Sequence, residues 1–196
     1  PELSFPREQK FVAWLDEVKK DAEAVFLLGD LFDFWFEYKT VVPKGFVRVL
    51  GKLAEIRDSG IPIYFFVGNH DLWMNDYLEK ELNIPVFHTN QEYTFNDKTF
   101  LIGHGDGKGP GDKGYKRMKK VFTNPLSKWL FRWLHPDIGV RLGHYLSVKN
   151  KLISGDEDVK FLGEENSDFV NLGDWIGYFT YGVFDGTTFE LKKFDF

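Results

Sequence analysis

Three short motifs carry the residue types that do chemistry. GDLFD (29–33) presents Asp30, GNHD (68–71) presents Asn69 and His70, and GHGD (103–106) presents His104. Each directly follows a β-prone apolar run: AVFLL at 24–28, IYFFV at 63–67 and TFLI at 99–102. A polar residue just past a buried strand stands where an α/β sheet offers its carboxyl edge to a ligand. Asp, Asn and His, each beside a glycine, are donor types that hold hard or borderline cations. Hydrolysis of a phosphate ester near neutral pH uses such donors. Two ions about 3.5–4 Å apart ionise a water and clamp the phosphoryl oxygens.

Each residue type suggests its own part. A carboxylate has two oxygens and can bridge two cations, which makes Asp30 the candidate bridging ligand; capping a turn is its alternative. Asn69 offers a carbonyl oxygen without adding charge, and His104 an imidazole nitrogen. His70 is better placed as an acid or hydrogen-bond donor to a leaving oxygen than as a ligand, and is the candidate catalytic residue. Asp33 and Asp71 either orient ligands or cap helices. Asp106 either supports the ligands or makes a turn. His88, His135 and His144 lie outside the motifs and are expected to be structural or surface groups.

Alternating elements must position these loops. The pattern predicts a helix over 4–20, a strand at 24–28, an acid-bearing loop at 29–42 and a helix over 44–58. A strand at 63–67, a short helix near 75–82 and a small strand at 84–88 follow. A hairpin turns through Asn96-Asp97, and a second, closing one through Asp185-Gly186. This alternation predicts a mixed α/β layer fold in one domain, residues 1–196. Residues 113–163 break the rhythm. Leu126, Trp129, Leu130, Trp133 and Leu134 recur at helical spacing, as do Ile138, Leu142 and Tyr145, which predicts a helical insertion.

Bulk composition narrows the partners. The chain has 196 residues, a net charge of −5, no Cys, and 21 Phe, six Trp and eight Tyr. Without Cys there is neither a disulfide framework nor a thiolate metal site, which fits a reducing compartment. No apolar run approaches the roughly 20 residues of a membrane span. The chain starts at Pro1, as a portion of a longer product would. Between Lys113 and Lys151 stand ten basic residues and one acid, Asp137, on an otherwise acidic chain. This segment suggests a phosphate-bearing partner, a substrate or an anionic bilayer surface rather than a nucleic-acid polymer; a solvated helix face is the alternative.

The ordered set GD-x-x-D, GNHD and GH after a strand resembles the calcineurin-like metallophosphoesterase superfamily. Within it the chain is most similar to the bacterial UDP-2,3-diacylglucosamine hydrolase family of the lipid A pathway. That likeness rests on Gly29–Asp33 running on to Trp35, on His104-Gly105-Asp106 leading to Asp112 and Tyr115, on the aromatic, basic insertion, and on Asn171–Trp175 with Phe179-Thr180-Tyr181. The resemblance implies a four-layer αββα sandwich with a helical cap over 113–163. It also implies two divalent metal ions, Mn2+ foremost with Zn2+ or iron as alternatives. The reaction would be cleavage of the pyrophosphate of UDP-2,3-diacylglucosamine to UMP and 2,3-diacylglucosamine 1-phosphate, in the cytoplasm at the inner-membrane surface. Trp35, Asp112, Lys113, Tyr115 and Lys116 would then meet the substrate, and Trp129, Leu130, Phe131 and Trp133 its acyl chains.

Other readings of the residues stay open: a soluble metallophosphoesterase on other phosphodiesters, or a binding protein without catalysis. The GNHD tetrapeptide has His where many such hydrolases have Arg. The superfamily's Asp-x-His and Gly-His-x-His motifs do not stand in the chain. A segment missing between about residues 161 and 168, and another before residue 1, would account for both.

Overall fold

The computed structural model describes residues 4–32, 34–105, 120–139, 141, 142, 145, 168, 170–175 and 177–195. Its first half is built from helices α1 (Ser4–Val18), α2 (Val47–Asp58) and α3 (Tyr77–Leu82) and strands β1 (Val25–Leu27), β2 (Ile63–Phe66) and β3 (Val86–Phe87). The strands form a parallel sheet in the order β1-β2-β3, with Val25 opposite Ile63 and Leu27 opposite Phe65. Helices are the connection that parallel neighbours need. Phe11, Trp14 and Leu15 of α1 bury one stripe, and Val49, Leu53 and Ile56 of α2 another. Both stripes pack on Val25, Leu27, Ile63 and Phe65. Complete burial of a Leu, Ile or Phe contributes about 1.5–3 kcal/mol each.

Helix α2 begins later than the pattern predicts. Phe46, the residue before it, has φ 58°, a left-handed conformation outside the helical region, so the first turn starts at Val47 rather than near Lys44. Phe46 spends its side chain in the core instead, at 4.8 Å from the Phe32 ring.

The opposite face of the sheet is aromatic. Phe26 stacks on Tyr64 at 4.9 Å and meets Tyr93 edge-on at 5.1 Å. Tyr93 belongs to the hairpin of β4 (Gln91–Phe95) and β5 (Lys98–Ile102). Asn96 and Asp97 both have positive φ, as a two-residue turn matched to strand twist requires. Phe100 on β5 packs on Phe184 of the closing hairpin, β6 (Thr180–Phe184) and β7 (Phe189–Lys193). The tail also reaches α1, where Trp175 lies 5.2 Å from Trp14. The protein is thus a mixed α/β structure with helices on one face of a parallel sheet and a hairpin on the other.

The predicted apolar stripe falls on helix α4 (Pro125–Arg132), whose Asn124 side chain caps the N–H of Leu126. Most of the stripe faces solvent: Leu126, Trp129, Leu130 and Trp133 are all more than half exposed, while Leu134, just past the helix, packs on Phe36, Trp73 and Phe131. Phe131, expected among the acyl-chain residues, is instead buried against Phe36 and Trp73. One residue past Leu130, it points about 100° around the helix from the stripe. Trp73 Nε1 donates to the carbonyl of Phe122 at 2.6 Å. Helix α4 therefore sits on the loops that leave β1 and β2. The rest of the predicted 113–163 insertion, and the segment between 161 and 168, lie outside the described residues.

Candidate metal centre

The β1–β2 register brings the site together. Continued past the strand ends, the pairing of Val25 with Ile63 and Leu27 with Phe65 sets Asp30 beside Gly68. The backbones there approach closely. A Cβ at Gly29 would lie 2.7 Å from both the Gly68 nitrogen and His104 Nδ1, and one at Gly68 would lie 2.6 Å from the Asp30 nitrogen. Real Cβ atoms do not approach so near, so glycine is dictated at both positions by space. Asp30 itself has φ 53°, rare for a residue with a side chain. That turn folds its carboxylate back over the strand ends.

Three acceptor atoms then converge. His104 Nε2 lies 3.2 Å from Asn69 Oδ1 and 3.4 Å from Asp30 Oδ2. The other ring nitrogen, Nδ1, is 2.7 Å from the carbonyl of Leu28. A carbonyl can only accept, so Nδ1 carries a proton, and Nε2 is the ring atom that faces the two oxygens. This is the arrangement in which a backbone carbonyl orients a ligating imidazole. Asp30 Oδ1 is held by the N–H of His70 at 2.8 Å. Burial opposes the charge of Asp30, yet the His104 ring and the His70 N–H hold its carboxyl below the usual value.

A second carboxylate lies beneath. Asp71 is fully buried, and its Oδ1 accepts the Gly68 N–H at 2.5 Å while Oδ2 has no partner among the described residues. Burial, and after it the charge of Asp30, pushes its carboxyl up to about 7. The donor set fits a divalent cation: a carboxylate, an amide oxygen and an imidazole converge beside a buried carboxylate short of partners. Among the described residues no three Asp, Glu, His or Cys side chains gather, and Asn69 completes the trio.

The remaining candidates are spread more widely. His70 is half-buried beside Asn69. Trp35 is fully buried, with its indole N–H on Glu37 at 3.1 Å, so it supports the loop from within. His88 lies at the rim of a small recess beside His104, about 20 Å³, with Phe66, Phe87 and Asn90. His135 is exposed and bonds locally with Asp137. Asp33, Asp106, Asp112, Lys113, Tyr115, Lys116 and His144 lie outside the described residues. Glu37 was not foreseen from the sequence. It is 5% exposed and accepts the N–H groups of Asn75, Asp76 and Tyr77 as well as the Trp35 indole. A glutamate in a run of aromatics was the available signal.

Residues 6–178 match the family model for calcineurin-like phosphoesterase. A protein of Porphyromonas gingivalis named UDP-2,3-diacylglucosamine hydrolase is 34% identical, over 96% of this chain and 90% of its own length. That alignment runs over 235 residues, so at least 39 of its positions face no residue of this 196-residue chain. Proteins of the same name from Edwardsiella ictaluri and Histophilus somni are 34% and 26% identical. They match over 63% and 82% of this chain, and 48% and 68% of their own lengths.

Two outcomes follow from the geometry. Gly68→Ala drives a methyl group into the Asp30 backbone and should lower unfolding free energy by about 1–3 kcal/mol in urea titration. Asp71 has a folded-state value near 7 against 3.8 for the free carboxyl, so the folded state holds its proton more tightly. Its contribution to stability is full below about pH 4 and is lost as pH rises through 7. In chelator-treated protein, Asp71→Asn should melt above wild type at pH 8, and the two should converge near pH 4.

Proposed function

The chain belongs to the calcineurin-like phosphoesterase family and is a phosphoester hydrolase, and from that premise we propose that it cleaves the pyrophosphate of a diacylated UDP-glucosamine lipid. The products would be UMP and a 2,3-diacylglucosamine 1-phosphate. Members of the family use divalent metals. The observation that carries the reading here is the convergence of Asp30 Oδ2, Asn69 Oδ1 and His104 Nε2 within 3.4 Å at the carboxyl ends of parallel strands. The names of the relatives supply the substrate class.

Asp30, Asn69 and His104 would hold the cation, with Asp30 free to bridge to a second. When bound, divalent ions acidify a water and neutralise the charge of the phosphoryl oxygens. The chain's own residues set up that chemistry. The Leu28 carbonyl fixes the His104 tautomer, and the His70 N–H holds one oxygen of Asp30 so that the other faces inward. His70, next in sequence to a ligand, is positioned to give a hydrogen bond or a proton to the leaving oxygen. Mn2+ is the ion we expect, with Zn2+ or iron as alternatives. The hairpins complete a four-layer αββα sandwich in this reading, and residues 113–163 form a helical cap that carries Lys113, Tyr115 and Lys116, with Asp112 just before it.

The outer face of α4 gives the lipid a place. Trp129, Leu130 and Trp133 are exposed together, with Trp133 at 75%, and basic residues flank them. No helix among the described residues is long and apolar enough to cross a membrane. We therefore infer that the enzyme works on the bilayer surface, at the cytoplasmic side of the inner membrane.

With Mn2+ and the diacylated UDP-sugar in detergent micelles, the full chain should release UMP, and Asp30→Ala should lower turnover about a hundredfold or more. Wild-type turnover by Asp30→Ala would defeat the ligand assignment. Faster cleavage of a soluble phosphodiester than of the lipid would favour a different substrate. Sedimentation with anionic vesicles should fall between low and high salt, since each basic group near the surface contributes roughly 1 kcal/mol; binding unchanged by salt would remove the membrane assignment.

A further inference from the structure

Glu37 belongs to neither the ligand set nor the apolar core, yet it is almost wholly buried. It lies seven residues beyond Asp30, on the loop that leaves β1. Its carboxylate reaches across to the loop that leaves β2, six to eight residues beyond Asn69. Oε1 accepts the N–H of Asn75 at 2.9 Å and the Trp35 indole at 3.1 Å. Oε2 accepts the N–H groups of Asp76 at 3.0 Å and Tyr77 at 3.4 Å. N–H donors alone satisfy both oxygens, and no ion pair to Glu37 occurs among the described residues.

A buried carboxylate is costly unless it is fully hydrogen-bonded, and here it is. The same two loops meet at two weaker points between the ligands and Glu37. The Trp35 N–H donates to the His70 carbonyl at 3.3 Å, and Phe36 bridges to Trp73. The loops are thus zipped from Asp30 and Asn69 outward, and Glu37 closes the far end. With that end open, Trp35 and Phe36 can part from His70 and Trp73, and the Asp30 carboxylate loses the fixed N–H that aims it.

We propose that Glu37 is a positioning residue for the ion-binding centre: by clipping the loop that carries Asp30 to the loop that carries Asn69, it sets the affinity of the site for a divalent cation. This rests on the reading of Asp30, Asn69 and His104 as ion ligands. Glu37 touches neither ion nor substrate and acts only through the spacing of the two loops.

The test compares chelator-stripped wild type with Glu37→Gln, which keeps the shape but turns an NH2 group toward backbone N–H donors. Equilibrium dialysis against Mn2+, with metal analysis, reads affinity without turnover. Hydrogen exchange reads the amides of 68–77. Glu37→Gln should bind Mn2+ about 10- to 100-fold more weakly, the range for groups that orient metal ligands, and its amides at 75–77 should exchange faster. Trp14→Ala, a core change in α1 where the ring meets Phe11, Trp175 and Tyr181 rather than either loop, should lower the melting temperature yet keep wild-type affinity. If Glu37→Gln does not fold, Glu37→Asp, which keeps the charge but shortens the reach, should show the same direction of loss. Mn2+ affinity within twofold of wild type in the folded Glu37 variant would overturn the proposal. So would an equal loss in Trp14→Ala, which would mark a general effect of stability. A wild type that takes up no Mn2+, Zn2+ or iron would instead overturn the ion-site reading beneath it.

Discussion

The close passage of two backbones at the ends of β1 and β2 governs the rest of the structure. Gly29 and Gly68 lie so near each other that neither position has room for a Cβ. This proximity lets a carboxylate from one loop and an amide from the next face the same imidazole. It also forces Asp30 into a left-handed conformation, at a cost of about 1–3 kcal/mol. The surrounding packing offsets that strain. Leu15, Leu53, Ile56, Ile63 and Phe65, all fully buried behind the sheet, hold β1 and β2 in register.

Two buried carboxylates near this crossing meet opposite fates. Glu37 has four N–H donors and needs nothing further. Asp71 has backbone N–H donors at one oxygen only, a second oxygen without a partner among the described residues, and a negatively charged neighbour in Asp30. A low-dielectric interior does not tolerate such a charge alone, so the group holds its proton to higher pH. A cation among Asp30, Asn69 and His104 would reverse that balance. The folded chain therefore keeps an uncompensated carboxyl group beside the three donors, where the proposed cation would sit.

How much of this was legible in the sequence depends on the range of the interaction. Asp30, Asn69 and His104 could be read because each directly follows an apolar strand and a glycine, and parallel strands align their ends. The order of the elements and the Asn96-Asp97 turn followed from local pattern in the same way. Glu37 could not be read, since three of its four partners are backbone groups 38 to 40 residues away. Nor could the facing of α4, because a helical stripe names a side and not what covers it. Phe131 decides that facing by meeting Phe36 and Trp73, residues from two distant loops. The start of α2 was misjudged because the left-handed turn at Phe46 serves a tertiary contact with Phe32 rather than a local preference.

Helix α4 is fastened from its inner side alone. Phe131 enters the aromatic cluster, and the carbonyl of Phe122 receives the Trp73 indole. The Phe122 ring also packs on Trp73 at 5.1 Å, and Leu134 joins the same cluster. Leu126, Trp129, Leu130 and Trp133, on the outer side, take no part in the fastening. Substitutions on that outer surface therefore leave the contacts that hold the helix unchanged. Under the proposed function, the choice of molecule would stand apart from the means of cleaving it, with the border along a single turn of helix.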